Sequence, residues 1–179
     1  IFGFTFSAFS LLSSFTAILV FIFSLLVPTL RKKYGYWMTI VFVQIFSILC
    51  LVIMSLTEIY SSYTYAMMIA VFAYIFRQPL MHMAHPSSNE LMMNYVGKKN
   101  QELISALSSS LWSASWFISA KIFEWLRLLN YKYYEIFLIT AFLYIVGVIL
   151  YIFLIKEYEN KQKRKSSTIL PIADELTID

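Results

Sequence analysis

The chain has 179 residues, of which 60% are hydrophobic and 13% charged, with a net charge of +4. Soluble domains average about 45–50% apolar and about 25% charged residues, so this apolar excess rules out an ordinary aqueous globule and calls for lipid as a second solvent. The basic residues gather in turns between apolar runs and form no nucleic-acid patch. The single cysteine, Cys50, lies inside an apolar run, can form no intrachain disulfide and has no metal-ligand spacing around it.

Five apolar segments follow in order, over residues 4–29, 36–56, 63–96, 101–129 and 133–155. A bilayer core needs roughly 20 helical residues, and each segment is long enough. The sequence therefore predicts an all-α membrane protein with five transmembrane helices. The first segment carries Ser7, Ser10, Ser13, Ser14 and Thr16, small hydroxyl residues suited to close helix packing in lipid. It closes at Pro28 and the basic turn Arg31-Lys32-Lys33-Tyr34-Gly35. The second has only Gln44 as a strongly polar residue, and a short loop, 57–62, leads to the third. The polar segment 156–179 is read as a cytoplasmic, mostly solvated and poorly ordered tail, basic first and acidic last. The chain opens on Ile1, without Met or a basic leader, and the expectation is that an upstream part is missing.

Five spans place the two ends on opposite sides. One side collects Arg31, Lys32, Lys33, Lys98, Lys99, Lys156, Lys161, Lys163, Arg164 and Lys165, against Arg127 and Lys132 on the other, ten to two. Cytoplasmic loops carry the excess of Lys and Arg, so the C-terminus is expected in the cytoplasm, and a bacterial inner membrane is the expected location.

The third segment carries the informative residues. At about 100° per residue, Arg77, Gln78, His82, His85, Ser88 and Asn89 share one half of the helix, and Phe76, Leu80, Met83, Ala84 and Leu91 the other. Pro79 and Pro86 free backbone carbonyls beside the polar side chains. Arg77 lies about 14 residues from the outer end, roughly 21 Å deep. An arginine there costs several kcal/mol unless it meets a partner or a wet cavity. There is no Asp before Asp174, and Glu90, Glu102 and Glu124 lie near segment ends, so the counter-charge is expected outside this chain or on a bound anion. A structural arginine capping freed carbonyls is the competing expectation. His82 and His85 are too few to hold a metal and serve as hydrogen-bonding or proton-relay groups.

In the fourth segment Ser105, Ser109, Trp112, Ser113, Trp116 and Ala120 share a face that the sequence turns inward, opposite Leu103, Leu107, Leu111, Phe117, Ile118 and Lys121. Trp112 and Trp116, one turn apart, line a cavity or pack in the core. Lys121 snorkels to the outer interface or pairs with Glu124.

The run from Arg77 to Ser88, then Met92-Met93-Asn94-Tyr95-Val96-Gly97-Lys98-Lys99-Asn100-Gln101, then Ser105 to Trp112, resembles the C-terminal half of a major facilitator superfamily transporter, helices eight to twelve. Residues 28–35 look like its reduced basic loop, though without the acidic residue often found there, and Ser119, Ala120 and Lys121 stand where glycines are common. The resemblance implies a partial C-terminal six-helix bundle and alternating access around a site between two halves. It makes Arg77, Gln78, His82, His85, Trp112 and Trp116 the candidate substrate-binding residues. The expected partners are the bilayer, the missing N-terminal half and a small organic solute, with an anionic solute and proton coupling left open. No catalytic residue, metal or cofactor is expected, and no Gly-rich phosphate loop is present. The alternatives are a complete, non-catalytic membrane subunit and an intramembrane metal enzyme using His82, His85 and Glu90.

Overall fold

A computed structural model describes residues 6–60, 63 and 65–175; residues 1–5, 61, 62, 64 and 176–179 lie outside it, with the start of the first expected span, part of the first loop and the chain end. Regular structure among the described residues is helical throughout. The elements are α1 (Phe6–Tyr36), a six-residue π-helical segment (Trp37–Phe42) leading into α2 (Val43–Ile59), α3 (Ala66–Val96), a 3-10 turn (Lys98–Asn100), α4 (Gln101–Leu128) and α5 (Tyr133–Glu175). Helices suit such a sequence because each satisfies its own backbone where no water is available.

Two helical stretches are long and apolar enough to cross a membrane, Phe6–Ile59 with 54 residues and Tyr133–Arg164 with 32. A straight 54-residue helix would measure about 80 Å, far beyond a hydrocarbon core of about 30 Å. Gly35 resolves this: its φ of 72° and ψ of −171° break the helix. Val27 before the break and Val43 after it meet in one core with Met83 of α3, so the chain doubles back at Gly35 and α1 and α2 run in opposite directions. A second reversal falls at Gly97, with φ 84° and ψ 168°, between α3 and α4.

The helices alternate in direction. Asn94 Nδ2 donates to Tyr36 Oη at 3.0 Å and Trp37 Nε1 donates to Glu159 at 3.1 Å, which sets the start of the α2 arm beside the ends of α3 and α5. At the opposite end, Ser55 Oγ of α2 donates to the Tyr134 carbonyl of α5 at 2.9 Å. The basic turns after α1, α3 and the apolar part of α5 therefore lie at one end of the bundle, in agreement with the sequence.

The main core joins Ile40 and Val41 of the π-helical segment with Ile48 and Leu51 of α2, Leu91 of α3, and Ala141, Val148 and Ile155 of α5. A smaller core, Val27, Val43 and Met83, seats α1 against α2 and α3. Outside these cores the surface is apolar: Phe15, Phe21 and Leu25 of α1 and Phe142, Leu143 and Phe153 of α5 are all more than half exposed. That is the inverse of an aqueous surface. In α1, Ser14 donates to the Ser10 carbonyl at 2.9 Å and Thr16 to that of Ser13 at 2.8 Å, which satisfies these hydroxyls within their own helix.

Two expected boundaries shift. Glu58, placed in a loop by the sequence, belongs to α2. The expected solvated tail begins instead as a continuation of α5, which stays helical to Glu175. Its first turns are held because Glu157 accepts from Tyr95 Oη at 2.6 Å, and Lys161 Nζ donates to the Tyr95 carbonyl at 3.0 Å. Polar side chains that find partners on neighbouring helix ends have no reason to fray.

Gly35 and Gly97 occupy a backbone region open essentially to glycine alone, where other residues cost of order 1–3 kcal/mol. A Cβ would meet nothing within 4 Å at either site, so the penalty is purely conformational. Gly35→Ala and Gly97→Ala are each expected to lose about 1–3 kcal/mol, in near-additive fashion, in denaturant unfolding of the detergent-solubilised chain; wild-type stability in both variants would show that the reversals do not need glycine.

Candidate functional site

Polar residues are concentrated in the middle of α3, which runs unbroken through Pro79 and Pro86. Each proline lacks an N–H and leaves the carbonyl four residues earlier, Ile75 and His82, without its helical donor. Arg77 sits eleven residues into α3, about 16 Å from its first residue. Its side chain is half-buried, and Nε is buried with no hydrogen-bond partner among the described residues. Gln78 and His82 project about 100° and 140° further round α3; Gln78 is half-buried and His82 exposed.

His85 begins a connected cluster across α3 and α4. Its Nδ1 lies 3.2 Å from Asn89 Nδ2, and Asn89 Oδ1 accepts from Ser108 Oγ at 3.3 Å. With its oxygen occupied, Asn89 offers its amide hydrogens to the imidazole, which leaves the neutral ring's proton on Nε2. The His85 ring meets Trp112 edge-on at 4.5 Å, and Trp112 meets Trp116 edge-on at 6.2 Å. Edge-to-face contact of this kind joins a ring's positive rim to its neighbour's negative face. Below the cluster a cleft of about 30 Å³ is lined by Asn89, Met92, Met93, Ile104, Ser105, Ser108 and Ser109. It has polar walls and room for one water molecule.

The structure thus brings together His85, Trp112 and Trp116, and leaves Arg77, eight residues earlier on α3, outside that cluster. It also corrects the expected inward face of α4. Ser105 and Ser109 line the cleft, but Ser113, Trp116 and Ala120 are exposed, and Trp112 remains 42% exposed. Leu126 is the one buried residue of α4. Leu107 and Leu111 on the other face are exposed as well, so the middle of α4 is uncovered all round.

Two carboxylates take positions that the sequence did not indicate. Glu90 forms an ion pair with Arg31, with side chains 38% and 23% exposed, tying α3 to the end of α1. The available signal was that opposite charges at the ends of two parallel helices lie at the same depth. Glu58 is half-buried, with Oε2 buried and unpartnered among the described residues. Lys121 pairs with Glu124 at 2.8 Å, one of its two expected fates. Among the described residues no three His, Cys, Asp or Glu side chains gather to hold a metal ion.

No protein family, curated protein or solved structure matches this chain.

The Arg31–Glu90 pair is partly desolvated, and water and salt weaken a pair whose acid is more than a third exposed. Glu90→Gln leaves Arg31 half-buried without its partner, and Arg31→Gln in the same chain should recover part of the loss. A double-mutant cycle read by thermal unfolding in detergent is expected to give a coupling of about 1 kcal/mol. Strict additivity would mean that the pair contributes nothing to holding α1 on α3.

Proposed function

We propose that this chain forms part of a secondary active transporter that moves a small organic solute across a membrane by alternating access, together with a second helical bundle docked on α4. The observation that carries this reading is Arg77. A guanidinium at this depth, with Nε buried and unpartnered, is stabilised by a bound anion or a wet cavity. Glu90, one of the nearer acids along α3, is already engaged by Arg31. An anionic or zwitterionic solute supplies the missing charge.

Other features support the same reading. Five alternating helices with one basic end fit five spans, as in a partial C-terminal six-helix bundle of the major facilitator superfamily, with that end and the C-terminus in the cytoplasm. The uncovered middle of α4 has the form of a surface that another bundle covers, with Trp112 and Trp116 offering aromatic area to an organic solute. Gln78, His82 and His85 add hydrogen-bonding groups between Arg77 and α4, and the histidines add a route for coupling to protons. The Arg31–Glu90 pair joins two helix ends at the basic end, where a partly solvated ion pair opens and recloses at low cost.

A non-catalytic membrane subunit also fits the uncovered α4 face. It offers no role for Arg77, which is why transport is preferred. An intramembrane metal enzyme has less support, because no third ligand joins His82 and His85 among the described residues.

Uptake by the protein as the cell makes it, with Arg77→Ala and Arg77→Lys, tests the reading. A charge-assisted bond is worth about 1.5–3 kcal/mol, so Arg77→Ala should lower uptake about 10–100-fold, and Arg77→Lys should retain part of it. Unchanged uptake in Arg77→Ala removes the central support. Liposomes holding only these 179 residues are expected to be inactive, and uptake by them would show that no second bundle is needed.

A further inference from the structure

We propose that the basic end of the bundle binds anionic phospholipid headgroups through two lysine-bearing turns, Lys32-Lys33 and Lys98-Lys99. The inference requires only that the helices cross a bilayer, and it stands apart from transport.

Both turns are built by the glycine reversals. Lys32 and Lys33 precede Gly35, and Lys98 and Lys99 form the 3-10 turn that follows Gly97. All four lysines are exposed, and none lies within 4.0 Å of a carboxylate among the described residues. The bond from Asn94 to Tyr36 at 3.0 Å, just beside the two turns, sets them at the same end and level.

Three carboxylates at that end are already engaged. Glu90 is held by Arg31, Glu157 by Tyr95 Oη at 2.6 Å and Glu159 by Trp37 Nε1 at 3.1 Å. Glu102, in the first turn of α4, is a further carboxylate at this end, and neither it nor the other three comes within 4.0 Å of the four lysines, whose ammonium groups stay open to an outside anion. At the opposite end the cations are matched within the chain. Lys121 meets Glu124 at 2.8 Å, Arg127 caps the Tyr131 carbonyl at 2.7 Å and stacks 4.3 Å over Tyr133, and Lys132 lies 6.0 Å over Tyr134. The basic end also holds Arg31 and Lys161 internally, but it keeps Lys32, Lys33, Lys98 and Lys99 exposed and without a carboxylate partner among the described residues.

The surroundings point to a lipid surface over a free anion. Lys33 Nζ lies 5.2 Å over the exposed ring of Tyr34, and Tyr36, Trp37 and Tyr95 stand at the same level. Aromatic side chains with an apolar body and a polar tip mark the headgroup layer. The turns are open tips with no enclosing pocket, which suits a sheet of phosphodiesters read by point charges. Each lysine near an anionic surface contributes about fivefold in binding.

The test uses the full chain in phosphatidylcholine bilayers, with trace spin-labelled phosphatidylglycerol or phosphatidylcholine as the probe. The protein-bound fraction of the anionic label should exceed that of the neutral one by about fivefold. The preference should vanish in the Lys32→Gln, Lys33→Gln, Lys98→Gln, Lys99→Gln variant and survive when the same four positions carry arginine. Lys132→Gln, at the matched end, should leave it intact. Equal binding of the two labels by the wild-type chain overturns the proposal, as does a preference that the four glutamines leave unchanged. Loss of the preference on adding millimolar glycerol phosphate would also overturn it, by assigning the turns to a soluble phosphate ester.

Discussion

A helix that carries Arg77, Gln78, His82, His85, Ser87, Ser88 and Asn89 within thirteen residues is poorly solvated by hydrocarbon. The bundle is arranged around that constraint. α1, α2 and α4 pack against α3, and α5 reaches it through Tyr144, whose hydroxyl lies 3.9 Å from the Met81 sulfur. Ser87 and Ser88 are buried within the bundle, and Ser88 turns its hydroxyl back to the His85 carbonyl at 2.9 Å. The apolar helices α1 and α5 take the outer positions, where Phe21 and Phe153 face outward. The apolar helices α1 and α2 thus cover the polar helix, and the Ser-rich α4 covers it least.

The same polarity fixes the ends. The core between α2 and α5 is made of small and branched apolar residues and has little to distinguish one axial register from another. The polar contacts at the basic end do distinguish them. Trp37 to Glu159, Tyr95 to Glu157 and Asn94 to Tyr36 are specific pairs that a shift of one helical turn would separate. The edge-to-face contact of Tyr36 with Tyr158 at 5.8 Å adds shape to the same junction. Register is therefore set where water and headgroups allow strong polar groups, and the apolar interior follows.

Much of this was legible from residue order. Apolar run length gives the helices, and charge placement gives their common basic end. The breaks were harder. The Arg31-to-Gly35 stretch reads as a basic loop, whereas α1 continues to Gly35 and reverses at that one residue, because a glycine in its own backbone region replaces a loop. The π-helical segment at Trp37–Phe42 has no local signal, since it arises where Thr39, Ile40 and Val41 are buried against neighbours distant in sequence. Arg31 and Glu90 were read as a topology marker and a segment end; pairing them needs the α1–α3 register. In the candidate site, periodicity put Arg77 and His85 on one half of α3; the structure divides them, with His85 in the cluster shared with α4 and Arg77 outside it. A helical wheel gives angles, and it does not give what stands opposite each angle.

That division has a mechanical consequence. Toward α1, α2 and α5, α3 is held by close-packed apolar cores and an ion pair. Toward α4 it is held by one hydrogen bond from Ser108, one ring edge and a water-sized cleft. Close-packed interfaces resist sliding, because each displaced side chain loses its partners at once. A wet, sparsely bonded interface yields more readily. α4 is also tethered at both ends by short connections, the Lys98–Asn100 turn and the reversal at Asn130, where φ is 63°. Tilting about those tethers moves Trp112 and Trp116 relative to α3 without unpacking the main core. Under the transport reading proposed above, this is the interface where a cavity lined by the aromatic pair changes shape.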